Sequence, residues 1–164
     1  MRVPVLVVLS VLGVACGYSS GSGLRGPSNN GIRTVRVTAV ANDTYRQRLE
    51  VDLSAAVSRE LAVSSDLLPG GSDADAVLEL RILDERERTL VIGTRTTAPV
   101  REGAQETLVQ VRLTERRTGK VVVDRTVTDR AEFRDPLGET LTTARQEMVA
   151  DLARKIVLAL EPGF

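Results

Sequence analysis

Histidine and tryptophan are absent from this chain of 164 residues, and cysteine occurs once, as Cys16. Without histidine the chain lacks the commonest general base and the commonest neutral metal ligand, so Ser/His/Asp and Cys/His chemistry is impossible within it. A lone cysteine cannot close a disulfide inside one chain. No HExxH, P-loop or GxGxxG pattern occurs, and the glycines of SSGSGLRG follow no strand pattern. Charge of one sign is also missing: 22 basic residues balance 22 acidic ones. Loss of Arg2 would shift that balance by one unit, so neither a nucleic-acid-binding field nor a polybasic membrane patch is indicated. Asp73 and Asp75 could in principle serve acid/base or metal chemistry. They sit in DLLPGGSDAD, however, whose Pro, Gly and Asp content is that of a solvated turn. No enzyme, cofactor or metal is expected.

What is present begins with MRVPVLVVLSVLGVA, one positive charge followed by an apolar run from Val3 to Ala15. The run is short of the roughly 20 residues that span a bilayer and ends in small residues, which reads as a secretory signal peptide over 1–15. A buried strand or a signal anchor is the alternative, but no charged stop-transfer flank follows. Cys16 comes next, in GVACGYSSGSG, among loop formers that do not build a core around a buried thiol. The stretch resembles the bacterial lipoprotein signal, with Ala15 before the cysteine and Gly13 where Leu is usual. That resemblance implies cleavage before Cys16 and acylation of the new N-terminus, with 16–31 as a Ser/Gly-rich tether. Acyl chains, at about 0.8 kcal/mol per buried methylene, would anchor the protein without a transmembrane helix.

The remaining chain is long enough for one core. RTVRVTAV alternates Val35, Val37 and Ala39 against Thr34, Arg36 and Thr38, the pattern of a half-buried strand. Asn42 or Asp43 then caps a helical pattern with Tyr45, Leu49, Leu53, Ala56, Val57 and Leu61 on one face. DLLPGG ends it. Ala76, Leu78, Leu80 and Ile82 mark the inner side of a second strand, whose charged then apolar continuation reads as long, bent or bulged. TLVQVRLTERRTGKVVVDRTVT gives two strands joined by a turn at 117–120, with Thr107, Val109, Val111 and Leu113 inward on the first. Val121, Val123 and Val127 are the inward set of the second, interrupted by Arg125. After Asp135 and Pro136 a second helix carries Leu141, Met148, Leu152, Ile156 and Leu160, and Pro162 ends it. The order β-α-β-β-β-α predicts an α+β two-layer sandwich, a four-stranded sheet with two helices on one face. The uncovered face would display Arg36, Arg81, Arg112 and Asp124.

The segment ACGY, the run IRTVRVTAVANDTYRQRLEVDLSAAVSREL, the ADAVLEL strand, the TGKVVVD hairpin and the terminal MVADLARKIVLAL together resemble the LptE family of lipopolysaccharide-assembly lipoproteins. The resemblance runs over nearly all of the mature chain and implies an LptE-like α+β domain over 32–164. It further implies a non-catalytic protein, lipid-anchored at the periplasmic face of the outer membrane. Such a protein plugs and helps assemble the β-barrel LptD and assists lipopolysaccharide to the surface. Gly17 after Cys16, rather than Asp, is compatible with that membrane. Basic side chains would meet the phosphates and carboxylates of the glycolipid. Arg101 stands where the family commonly has a basic residue ahead of a Gly-containing turn, and Arg134 is the only basic residue of FRDPLGETL. A lipoprotein adaptor or pilot for another outer-membrane machine is the alternative function, and a solvated loop residue is the alternative reading of Arg101.

Overall fold

The computed structural model describes residues 31–44, 48–92, 101–134 and 138–161. Cys16, the expected signal peptide and tether up to residue 30, Tyr45, Asp135, Pro136 and Pro162 lie outside these. The elements are β1 (Thr34–Val37), β2 (Ala41–Asn42), α1 (Leu49–Ser64), β3 (Leu68–Pro69), β4 (Ala76–Ile92), β5 (Arg101–Glu115), β6 (Val121–Arg134) and α2 (Leu141–Ala159). The class is the expected one, α+β. The four expected strands form one sheet with two further short ones, in the order β3-β1-β4-β5-β6, with β2 also on β4. β1 and β2 run parallel to β4, β1 runs parallel to β3, and β4, β5 and β6 form an antiparallel meander.

Backbone pairing adds the two extra strands to the sheet. In the turn-like DLLPGG, Leu68 N donates to Arg33 O (2.9 Å) and Gly70 N to Val35 O (2.8 Å), which makes β3. β2 follows an irregularity. Val37 faces Leu78 and Ala41 faces Arg81, so three residues, 38–40, stand against two. The extra residue reverses the sides: Val40 is buried and Ala39 exposed, where strict alternation predicts Ala39 inside.

The core lies between the inner sheet face and both helices. Val35, Leu78, Leu80, Ile82, Val109, Val111 and Leu113 meet Leu49, Leu53, Val57 and Leu61 of α1 and Met148, Leu152, Ile156 and Leu160 of α2. Three expectations are corrected at its margins. Leu141 is 37% exposed, because it is the first residue of α2, ahead of the helix's first buried residue, Ala144. Val121 is 46% exposed, because Leu113 faces Val123 while Thr114 faces Val121, and the extra Val122 shifts the pattern. Neither Asn42 nor Asp43 caps α1. The Asn42 side chain accepts from Thr44 N (2.9 Å) and donates to Glu50 Oε2 (2.9 Å), and the helix starts only at Leu49. There Arg48 takes a left-handed φ of 83°, unusual for a side-chain-bearing residue, and its N–H donates to Glu50 Oε1 (3.2 Å). Thr140 and Thr143 cap α2 reciprocally.

The long β4 is irregular as expected. Pairing with β5 skips Leu83 and Leu90. Past Leu83 the inward positions change parity, so Glu85 takes the inner side beside Gln105 of β5, whose Nε2 it accepts from. The inner face thus turns polar toward the far end of the meander.

Candidate interaction face on the open side of the sheet

Strand alternation decides which side chains the uncovered face carries. Arg36 of β1 is registered with Val77, Arg81 of β4 with Gln110, and Arg112 of β5 with Glu79 on one side and Asp124 of β6 on the other. Arg36, Arg81 and Arg112 therefore stand on one face of three neighbouring strands, all exposed, as the sequence predicts. Their electrostatic settings differ. Arg112 donates through Nη2 (2.8 Å) and Nε (3.2 Å) to Asp124 Oδ2, and Gln110 Nε2 reaches Oδ1 (3.2 Å). These bonds, the arginine's first, hold the Asp124 carboxyl below its ordinary range. Arg81 pairs with Asp43 (3.3 Å). Arg36 has no ion-pair partner among the described residues.

A shallow groove of about 280 Å³ opens beside the irregularity between β1 and β2, with Thr38, Glu79, Arg81, Gln110 and Arg112 on its walls. Farther along the face, Arg88 pairs with Glu106 (3.7 Å), Arg130 with Glu132 (2.8 Å) and Arg134 with Glu102 (3.7 Å). Arg134 is the last residue of β6 rather than part of a loop, and it shares the open face with the other three arginines at its far end. Arg101 is not ahead of the strand but its first residue, paired with Ile92; its side chain is outside the described residues. Gly103 belongs to no turn either. It lies in β5 between Thr89 and Phe133. The sequence reading placed Glu79 beside Arg81 but missed Gln110, Arg130 and Arg88; alternation with inward residues could have placed the first two, whereas Arg88 reaches this face only because the pairing skips Leu83. Chemically the face is a lattice of hydrogen-bonding, largely neutralised charges. It suits a polar surface or an isolated anionic group better than a polyanion.

Asp75, the other carboxylate of interest, serves a turn. Its Oδ2 accepts from the N–H of Arg33 (2.9 Å), the N–H of Thr34 (2.9 Å) and the Thr34 hydroxyl (3.0 Å).

A family profile described as lipopolysaccharide-assembly, LptE, matches residues 32–160. The chain belongs to the LptE family. This is a family of non-enzymatic envelope lipoproteins in lipopolysaccharide assembly. No curated protein matches the sequence significantly. Among solved structures, the protein CT253 from Chlamydia trachomatis is similar over 77% of this chain and 94% of its own, at 16% identity and a TM-score of 0.59. The PelC dodecamer from Paraburkholderia phytofirmans is similar over 79% and 86%, at 17% identity and a TM-score of 0.54. A candidate lipoprotein from Caulobacter crescentus CB15 gives 77% and 86%, 19% identity and 0.52. These likenesses bear on the fold alone. No helix among the described residues is long and apolar enough to cross a membrane.

Proposed function

We propose that this LptE-family protein is an outer-membrane lipoprotein that plugs the β-barrel LptD, helps it assemble and assists lipopolysaccharide to the cell surface. In this reading 1–15 is a signal peptide, Cys16 the acylated N-terminus, 16–31 a tether and 32–164 the plug. The observation that carries it is the open sheet face. A barrel lumen is polar, and Arg36, Arg81 and Arg112 offer it donors from three adjacent strands without a bare cationic field. The family match over 32–160 supports the same assignment. Arg101 and Arg134 are secondary candidates for barrel or glycolipid contact.

The test is Arg36→Glu, Arg81→Glu and Arg112→Glu combined. Exposed ion pairs contribute about 0–1 kcal/mol each, so the melting temperature should stay nearly unchanged while co-purification with the barrel is lost. Retention of the barrel by the triple variant would sink the assignment of this face. Photocrosslinking from the same positions to an unrelated envelope component would favour an adaptor instead.

A further inference from the structure

The groove on the open face differs in charge from the surface around it. It opens where residues 38–40 put three residues against two of β4, and exposed Ala39 and Ala41 line it on that side. Its wall there is short and apolar. Across from them stand Glu79 and Arg81 of β4 and Gln110 and Arg112 of β5. Both guanidiniums are engaged: Arg81 Nη1 donates to the two carboxylate oxygens of Asp43 (3.4 and 3.3 Å), and Arg112 donates twice to Asp124. Neither aspartate lines the groove. Glu79 lies directly opposite Arg112 in the β4–β5 register, yet Arg112 binds the aspartate on its other side. The exposed Glu79 carboxylate has no ion-pair or side-chain hydrogen-bond partner among the described residues. The uncompensated charge in these walls is therefore negative.

That sign decides what the groove can take. An entering anion would compete with Asp43 or Asp124 for an arginine and would lie beside Glu79, and like charges set together at an interface oppose binding. A cation meets Glu79 with nothing to displace. A long cationic side chain fits further, because its methylene stem covers apolar surface while its charged head stays with a carboxylate and water. Ala39 and Ala41 offer the stem that surface, and a groove of about 280 Å³ has room for one such side chain.

We infer that this groove is a socket for one lysine or arginine side chain of the barrel wall, its head paired with Glu79 and its stem along Ala39 and Ala41. The socket rests on the barrel being the partner of the open face, and it adds what fixes the barrel's position there. Paired arginines can share donors at many points of the face, whereas an unpaired carboxylate in a groove holds one cation in one place. Arg36 on β1, also without an ion-pair partner among the described residues, calls for an acid of the wall. Two unpaired charges of opposite sign on neighbouring strands set the direction in which the wall segment crosses the sheet.

The test uses the full-length protein co-expressed with the barrel and purified in detergent. A photocrosslinking residue in place of Ala39, at the rim of the groove, should attach to a barrel segment that carries a lysine or arginine. Glu79→Lys should cut the barrel co-purified at least about tenfold, with Glu79→Gln intermediate. Both variants should melt as wild type does, because no internal partner is lost. Changing the crosslinked barrel cation to Glu should restore binding to the Glu79→Lys variant and weaken binding to wild type. Crosslinks from position 39 that miss the barrel would sink the barrel-facing reading and the socket together. Crosslinks that reach the barrel, combined with full co-purification by Glu79→Lys or with no cation in the attached segment, would overturn the socket alone.

Discussion

Asp75 joins the start of β1 to the start of β4 through one carboxylate oxygen, and the amide of Arg33, then the amide and hydroxyl of Thr34, depress its pKa. A carboxyl whose folded pKa is lowered adds stability that is present above its unfolded pKa and is lost as pH falls through the folded value. Asp75→Asn should therefore destabilise the protein at neutral pH, by about 1 kcal/mol given the exposure of the site. Below the ordinary carboxylate range the gap to wild type should close, which urea titrations at a series of pH values would read. Gly103 poses a steric question instead. A Cβ there would come within 2.7 Å of Phe133 Cε1 and closer still to Cζ, because the buried ring lies across the glycine on the neighbouring strand. Gly103→Ala should cost about 1–3 kcal/mol by overpacking, measured by thermal melting, and Phe133→Leu in the same chain should recover part of it. In the sequence this glycine reads as punctuation. Its use as a seat for a ring from a partner strand depends on a register that no local pattern encodes.

At the scale of elements, the helical stripes set the clearest contrast. Leu53, in the second turn of α1, and Leu152, near the middle of α2, are fully buried, so truncating either to Ala should cost about 2–5 kcal/mol. Leu141, on the same stripe as Leu152 but 37% exposed, should cost well under half as much, and denaturant midpoints would show the ordering. The stripes were legible because a 3.6-residue period survives whatever the helix packs against. The inner sides of β4 before Leu83 and of β5 from Thr107 to Leu113 were legible for the same reason, at period two. What escaped was every position where one residue is added or skipped. The shifts at 38–40, at Leu83 and at Val122 each exchange inside for outside, and they explain the misplacement of Ala39, the burial of Glu85 and the exposure of Val121. The start of α1 escaped too, since Asn42 and Glu50 close a turn through space rather than at cap spacing. For the candidate face, alternation showed which arginines share a side, while the partners of Arg81 and Arg112 depend on which strands are neighbours.

Neighbour relations belong to the whole molecule. The sequence patterns give strands their sides but not their places in the sheet, and β1 lies between β3 and β4, both far along the chain. Val35 waits for Ala76, and β4 in turn pairs with β5 only between residues 101 and 115. A chain delivered end first, as in synthesis or passage across a membrane, presents β1 and the apolar side of α1 well before their partners arrive. Closing that long loop has little to reward it until the meander exists, and α2, which covers β5 and β6, comes last of all. Assembly thus runs against the order of appearance: the C-terminal half forms the platform, and the first third of the domain must be kept soluble in the meantime. Whatever guards the nascent chain in its compartment would have to recognise Leu49, Leu53, Val57 and Leu61, the same residues that disappear once the platform forms.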